Sequence, residues 1–168
     1  PLISDNYTLT NAYDYKVYNE WLDSNILSIG FFSKVTNSLN GKDVKLSDRL
    51  YLPGNKLRGF ESGKVGPKDG ADFIGGNYAA SINIATSLDQ VLPNLQNTNF
   101  SIFFDAANVW GVDYSSVLAD ESKIRSSVGV AVDFFTPIGP LSFSLSEPIT
   151  KGKNDITESF RFNLGTTF

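Results

Sequence analysis

The chain has 168 residues, 41% of them hydrophobic, a composition that fits a folded protein and argues against full disorder. It contains no cysteine and no histidine, which excludes disulfides, thiolate metal sites and a Ser-His-Asp triad. The formal net charge is −4 and the basic residues are scattered, so no nucleic-acid partner is expected. The apolar runs are far shorter than the roughly 20 residues of a membrane helix, whereas a membrane strand needs only about 9–11.

Seven segments are predicted as β-strands because apolar and polar residues alternate along them with a period of two. In chain order they are 7–18, 26–35, 76–87, 99–110, 124–135, 141–147 and 160–168. We find no persuasive helical pattern. The sequence therefore predicts an all-β protein, an antiparallel meander of about seven strands.

The connections between these strands alternate between short and long. The link near 22–25 and the Pro137-Ile138-Gly139-Pro140 turn are short, whereas 36–74 and 111–123 are long. Short turns at one end and long loops at the other are typical of outer-membrane β-barrels. A soluble β-sandwich also alternates, but a loop as long as 36–74 is uncommon in a small compact domain unless it has a function.

The closing strand shows the alternation most clearly. One parity is bulky and apolar and the other is polar or small: Phe160, Phe162, Leu164 and Phe168 against Arg161, Asn163, Gly165 and Thr167. The apolar parity could pack on a second layer in a soluble sandwich or face lipid in a membrane barrel. The polar parity of the strands is rich in Ser, Gly, Ala and Asn and poor in Lys and Glu, which favours the barrel.

The long loop contains Leu57-Arg58-Gly59-Phe60 in a segment dense in Gly and Pro, which indicates a fixed, turn-rich path. Taken alone, Arg58 would be an ordinary surface arginine. The four residues resemble the [V/L]-R-G-F motif in the sixth extracellular loop of the bacterial surface antigen family of outer-membrane assembly factors. The resemblance continues in order through residues 63–67, 75–77, 103–105, 108–110, 124–125, 137–141 and the closing strand.

The resemblance implies that residues 1–168 are the C-terminal portion of a 16-stranded transmembrane β-barrel, with POTRA domains upstream of it that this chain lacks. Residues 36–74 would then be a long extracellular loop that folds inward. The start at Pro1, without Met or a signal segment, indicates a processed chain or a cut piece, of which we favour the cut piece. Seven strands cannot close an even-numbered barrel, so the open edges would need partners, and edge-to-edge self-association of the fragment is one option.

The implied function is assembly and insertion of outer-membrane β-barrel proteins in the cell outer membrane of a Gram-negative bacterium. The resemblance implies no catalytic residue, no ATP, no cofactor and no metal, so the protein is expected not to be an enzyme. Its expected partners are the lipid bilayer, nascent outer-membrane proteins and, through the missing upstream domains, the lipoproteins of an assembly complex. Two alternatives stay open: a two-partner secretion pore of the same superfamily and a soluble β-sandwich binding module.

In this family the loop arginine pairs with carboxylates on the inner wall of the barrel. Asp105 is the expected partner of Arg58, because a confined guanidinium can bind a carboxylate through two parallel hydrogen bonds. The family pattern differs at two positions: Ala107 stands where a glycine is usual, and Ala85 lies near the usual place of a glutamate. Arg58 would then have one carboxylate, or would recruit Asp133. The simpler alternative for Asp105 is a solvated wall residue.

The closing strand resembles the C-terminal assembly signal of outer-membrane proteins, carried here by Phe160, Phe162, Leu164, Gly165 and Phe168. In the family this strand also pairs weakly with the first barrel strand to form a lateral gate. Gly165 fits such a gate because glycine weakens strand pairing, and it fits a small inward-facing position equally well.

Overall fold

The computed structural model describes residues 7–22, 25–88, 97–118, 123–137 and 139–165. These ranges contain β1 (Thr8–Leu22), β2 (Asn25–Ser38), β3 (Lys68–Asp69), β4 (Asp72–Phe73), β5 (Tyr78–Ser87), β6 (Thr98–Trp110), β7 (Arg125–Thr136), β8 (Gly139–Thr150) and β9 (Phe160–Leu164). The seven long strands form one antiparallel sheet in the order β1-β2-β5-β6-β7-β8-β9, and β3 pairs with β4 as a separate hairpin. The predicted all-β meander of seven strands is confirmed.

The observed strands agree with the predicted segments except at their ends. β1 extends past Tyr18 to Leu22, because its pairing with β2 continues there through a bulge. β8 extends past 147 to Thr150. β9 is described from Phe160 to Leu164, and residues 166–168 of the predicted strand lie outside the described residues.

The predicted loop 36–74 corresponds to the connection 39–77 between β2 and β5, and it has structure of its own. It holds the β3–β4 hairpin and two 3-10 turns, Leu46–Asp48 and Gly54–Lys56. Pro53 and Gly54 suit the second of these turns, and Gly70, with φ of 58°, suits the turn of the hairpin. Within the described part of the chain, no helix is both long enough and apolar enough to cross a membrane.

The two faces of the sheet differ in chemistry, as the alternation requires. The outer face leaves large apolar side chains exposed on successive strands, among them Phe31, Ile84, Phe104, Leu145 and Phe162. The inner face carries buried polar and small residues, among them Ser81, Ser101, Asp105, Ser127 and Ser144. Among the described residues no second sheet covers the apolar face, which argues against the soluble β-sandwich.

The hydrophobic core lies between the inner face and the loop 39–77. Five apolar residues of the loop pack against four wall residues from three strands: Leu50, Leu52, Leu57, Phe60 and Val65 against Phe32 of β2, Ala79 of β5, and Ala107 and Val109 of β6. The loop is therefore held against the sheet by ordinary apolar burial, worth about 25 cal/mol per Å².

The strand ends joined by the long connections lie at one end of the meander, and the strand ends joined by the shorter links lie at the other. This is the arrangement that the sequence predicted. It brings the loop 39–77 next to the β6–β7 and β8–β9 connections.

Candidate functional site: the inward loop and the wall beneath it

Arg58 of the loop meets Asp105 of β6 on the inner wall. Arg58 Nε donates to Asp105 Oδ2 and Arg58 Nη2 donates to Oδ1, each at 2.8 Å, so the pair is bidentate. The backbone N–H of Arg58 also donates to Oδ2, at 3.0 Å. The Asp105 side chain is fully buried and that of Arg58 is 21% exposed. Asp105 is therefore a partner of the loop and not a solvated wall residue.

Two polar residues on neighbouring strands complete this pair. Asn83 Nδ2 of β5 donates to Asp105 Oδ1 at 2.8 Å and to the Lys56 carbonyl at 2.9 Å. The hydroxyl of Ser127 on β7 donates to the Arg58 carbonyl. A charged group as buried as Asp105 is tolerated only when it is paired and hydrogen-bonded, and these contacts meet that condition.

The alternative in which Arg58 pairs with Asp133 is not found in the structure. Asp133 lies well beyond Ser127 on β7, about 20 Å along the strand, and there it accepts a hydrogen bond from Ser142. Ala85 leaves the wall without a glutamate, as the sequence indicated. Arg58 therefore pairs with a single wall carboxylate, that of Asp105. Asp105 Oδ1 also accepts a hydrogen bond from the neutral amide of Asn83.

Phe103 supplies a platform for Arg58 that sequence reasoning missed. The guanidinium carbon of Arg58 lies 3.4 Å from the centre of the Phe103 ring, a cation–π contact. Gly129 of β7 makes room for this ring, because a Cβ at Gly129 would lie 2.5 Å from Phe103 Cζ. The sequence did contain a signal for this contact. Phe103 is a large apolar residue on the same parity as Ser101 and Asp105, which places it on the inner face.

The other motif residues fix the backbone around Arg58. Leu57 and Phe60 are buried in the core at 2% and 1% exposure. Gly59 has φ of 89°, a left-handed conformation that glycine adopts readily. A Cβ on Gly59 would also lie 3.1 Å from Ser127 Cβ. The motif is thus two apolar anchors, one left-handed glycine and one arginine aimed at the wall.

A second ion pair lies where the loop meets the β8–β9 connection. Arg125 Nε and Nη2 donate to Asp155 Oδ2 and Oδ1 at 2.8 and 3.0 Å, and both side chains are 1% exposed. Arg125 Nη1 also donates to Asn108 Oδ1 at 2.6 Å. The N–H of Gly66 in the loop donates to Asp155 Oδ1 at 3.3 Å. Arg125 and Asn108 belong to the motif resemblance, but the sequence offered no sign that Asp155 joins them.

The loop also contacts both outer strands of the described sheet. Lys56 Nζ lies 2.7 Å from an Asp14 carboxylate oxygen of β1. At the other side, Arg161 of β9 donates to the carbonyls of Gly54 and Phe60. One short stretch of loop therefore spans the inner face from β1 to β9.

The predicted signal residues of the closing strand lie on the outer face as far as they are described. Phe160, Phe162 and Leu164 are 54%, 50% and 57% exposed. Gly165 has φ of 69° and its N–H donates to the Pro140 carbonyl at 2.8 Å, so it ends the strand in a left-handed turn. Phe168 lies outside the described residues.

The contacts of this site are ion pairs, hydrogen bonds and apolar packing. Among the described residues, no group of three or more His, Cys, Asp or Glu could hold a metal ion. What the arrangement does is fasten a loop to a wall through charged hydrogen bonds, a cation–π contact and apolar burial.

An apolar outer face together with a polar inner face that carries a fastened loop defines a segment of a membrane β-barrel. The chain belongs to the Omp85 superfamily, whose domain model matches residues 1–168.

Two curated relatives and one solved structure show where in the superfamily the similarity lies. The chain is 30% identical over 159 residues to the outer membrane protein assembly factor BamA of Neisseria meningitidis, covering 76% of this chain and 19% of that protein. It is 31% identical over 144 residues to a SAM50-like protein of Schizosaccharomyces pombe, covering 79% of this chain and 29% of that protein. The crystal structure of BamA from Haemophilus ducreyi lacking POTRA domains 1-3 matches 100% of this chain and 36% of its own, with a TM-score of 0.86 and 30% identity. The chain thus spans well under half the length of these relatives.

Proposed function

We propose that this chain is the C-terminal part of the barrel of an outer-membrane protein assembly factor. The protein resides in the cell outer membrane and promotes folding and insertion of other β-barrel proteins, without ATP, a cofactor or a covalent step. The support is the superfamily match over the whole chain and two kinds of relative, one named as an outer membrane protein assembly factor in bacteria and one as a sorting assembly machinery subunit in yeast.

The observation that carries the proposal is the seat of Arg58, by which we mean its bidentate pairing with the buried Asp105 of β6. A lumen-facing loop that pairs with β6 and reaches both outer strands of the described sheet acts as an internal brace. A brace of this kind sets the curvature of the wall, and an assembly factor needs a wall of defined shape to disturb the bilayer and to present a strand edge. The loop 39–77 would enter the lumen from the extracellular side.

The expected partners follow from the two faces of the sheet. The exposed apolar outer face contacts the lipid bilayer, since its side chains are those that a membrane strand turns to lipid. Nascent outer-membrane proteins are the clients. Assembly lipoproteins would bind to upstream POTRA domains, outside this sequence.

The test is Arg58→Ala in the intact protein, with folding of a test barrel protein into lipid vesicles as the measurement. The change leaves Asp105 buried and unpaired, which costs about 3 kcal/mol at the loop seat, so assembly should slow by an order of magnitude or more. Lys45→Ala is the matched control, because Lys45 is an exposed cation of the same loop. Unchanged assembly and heat-modifiability in Arg58→Ala would contradict the proposal.

A further inference from the structure

Arg161 is the inward-facing cation of the last strand, between the outward-facing Phe160 and Phe162. Its backbone pairs with Ser144 of β8. Its guanidinium leaves the strand and reaches into the loop 39–77, where Nη1 donates to the Gly54 carbonyl and Nη2 to the Phe60 carbonyl. Gly54 precedes Arg58 in the sequence and Phe60 follows it. Arg161 of the closing strand therefore binds the loop backbone on both sides of Arg58.

Glu158 forms an ion pair with Arg161. Arg161 Nε and Nη2 donate to Glu158 Oε2 at 2.9 and 2.7 Å. The Arg161 side chain is 11% exposed and that of Glu158 is 40% exposed. The fork of the guanidinium thus binds one carboxylate and two carbonyls in a fixed geometry, which the single nitrogen of a lysine could not reproduce.

Gly54 fits this contact by its lack of a side chain. A Cβ at Gly54 would lie 2.5 Å from Arg161 Nη1 and 3.0 Å from Cζ. The φ of Gly54 is not in the left-handed region, so close approach of the guanidinium is the reason that glycine suits this position.

The backbone just before β9 is also joined to the loop. Glu158 N–H donates to the Gly59 carbonyl at 3.1 Å, and Glu61 N–H donates to the Ile156 carbonyl at 2.9 Å. Ile156 N–H in turn donates to the Lys64 carbonyl at 3.0 Å. The loop and the segment that leads into β9 therefore form a short antiparallel ladder, and Arg161 extends it into the strand.

We infer that Arg161 is a positioning residue that couples the order of the closing strand to the seating of the inward loop. β9 is short, with five residues paired to β8, so the contacts of Arg161 outside the sheet add to its order. When the loop leaves its seat, Arg161 loses both carbonyl acceptors and β9 loses that support. The coupling is reciprocal: a disordered β9 weakens the loop by the same amount.

The experiment is hydrogen exchange by mass spectrometry on the intact protein in lipid, following segments 54–60 and 160–164. Arg161→Gln should speed exchange in both segments about tenfold, the effect of losing charge-assisted hydrogen bonds. Arg161→Lys should recover only part of the protection. Asn163→Ala, on the same face of the same strand, should leave segment 54–60 unchanged. Heat-modifiability verifies that each variant still folds.

The decisive comparison uses Arg58→Ala to loosen the loop in two backgrounds. With Arg161 present, exchange at 160–164 should rise; with Arg161→Gln, Arg58→Ala should add nothing further there. An equal rise in both backgrounds, or no change at 160–164 in Arg161→Gln, would overturn the inference. This outcome is separate from the proposed function, which rests on the assembly rate: coupling can be measured whether or not clients are inserted.

Discussion

The guanidinium of Arg58 lies over the ring of Phe103, with its carbon 3.4 Å from the ring centre, while its Nε and Nη2 donate to Asp105. Two wall residues therefore hold this guanidinium, Asp105 through hydrogen bonds and Phe103 through a cation–π contact. The two wall residues are on one strand and one parity, so a regular β6 positions both.

Phe103→Leu should lower the unfolding free energy by about 1 kcal/mol, because it removes the ring face from Arg58 but keeps an apolar side chain. The loss should be smaller than that of Arg58→Ala. Urea unfolding in lipid, followed by tryptophan fluorescence, measures it. Phe104→Leu is the control, since Phe104 lies on the same strand but on the outer face; equal losses in the two variants would argue against a role for the ring.

Gly59→Ala should lower the unfolding free energy by more than the addition of one methyl group suggests. Alanine at φ of 89° costs about 1–2 kcal/mol, and its Cβ would also press on Ser127 at 3.1 Å. Gly41→Ala separates these effects, because Gly41 has φ of 70° with nothing within 4 Å of the added Cβ. The difference between the two unfolding free energies reports the wall contact. If Gly41→Ala costs as much as Gly59→Ala, the contact with Ser127 contributes nothing.

Arg125 and Asp155 should behave as one unit in a double-mutant cycle. Each is 1% exposed, so Arg125→Met or Asp155→Asn alone leaves a buried charge without its charged partner. The double variant should lose less than the sum of the single losses, with a coupling energy of about 2 kcal/mol. Urea midpoints of the four proteins measure this. Strict additivity would mean that the pair does not couple the loop connection to the wall.

The strands could be predicted from the sequence because alternation is a local signal, and each strand shows it without reference to its neighbours. The Arg58–Asp105 pair could be anticipated only through the family resemblance, since nothing local links positions 58 and 105. Asn83, Ser127 and Arg161 were missed for a physical reason. Their roles depend on the path of the loop across the sheet, and a polar residue of suitable parity looks the same whether or not the loop passes over it.

The assignment of the outer face to lipid gives a prediction that uses two adjacent residues of β2. Ile29 is 45% exposed on the outer face and lies in one row with Ile84 and Phe104 near the middle of the sheet. Ile29→Lys should therefore destabilise the folded protein in lipid by about 2–4 kcal/mol. Ser28→Lys, at the same height but on the inner face, should cost much less because its ammonium reaches the polar interior. Folding stability in vesicles of fixed lipid composition compares the two, and equal costs would mean that the apolar face does not contact lipid.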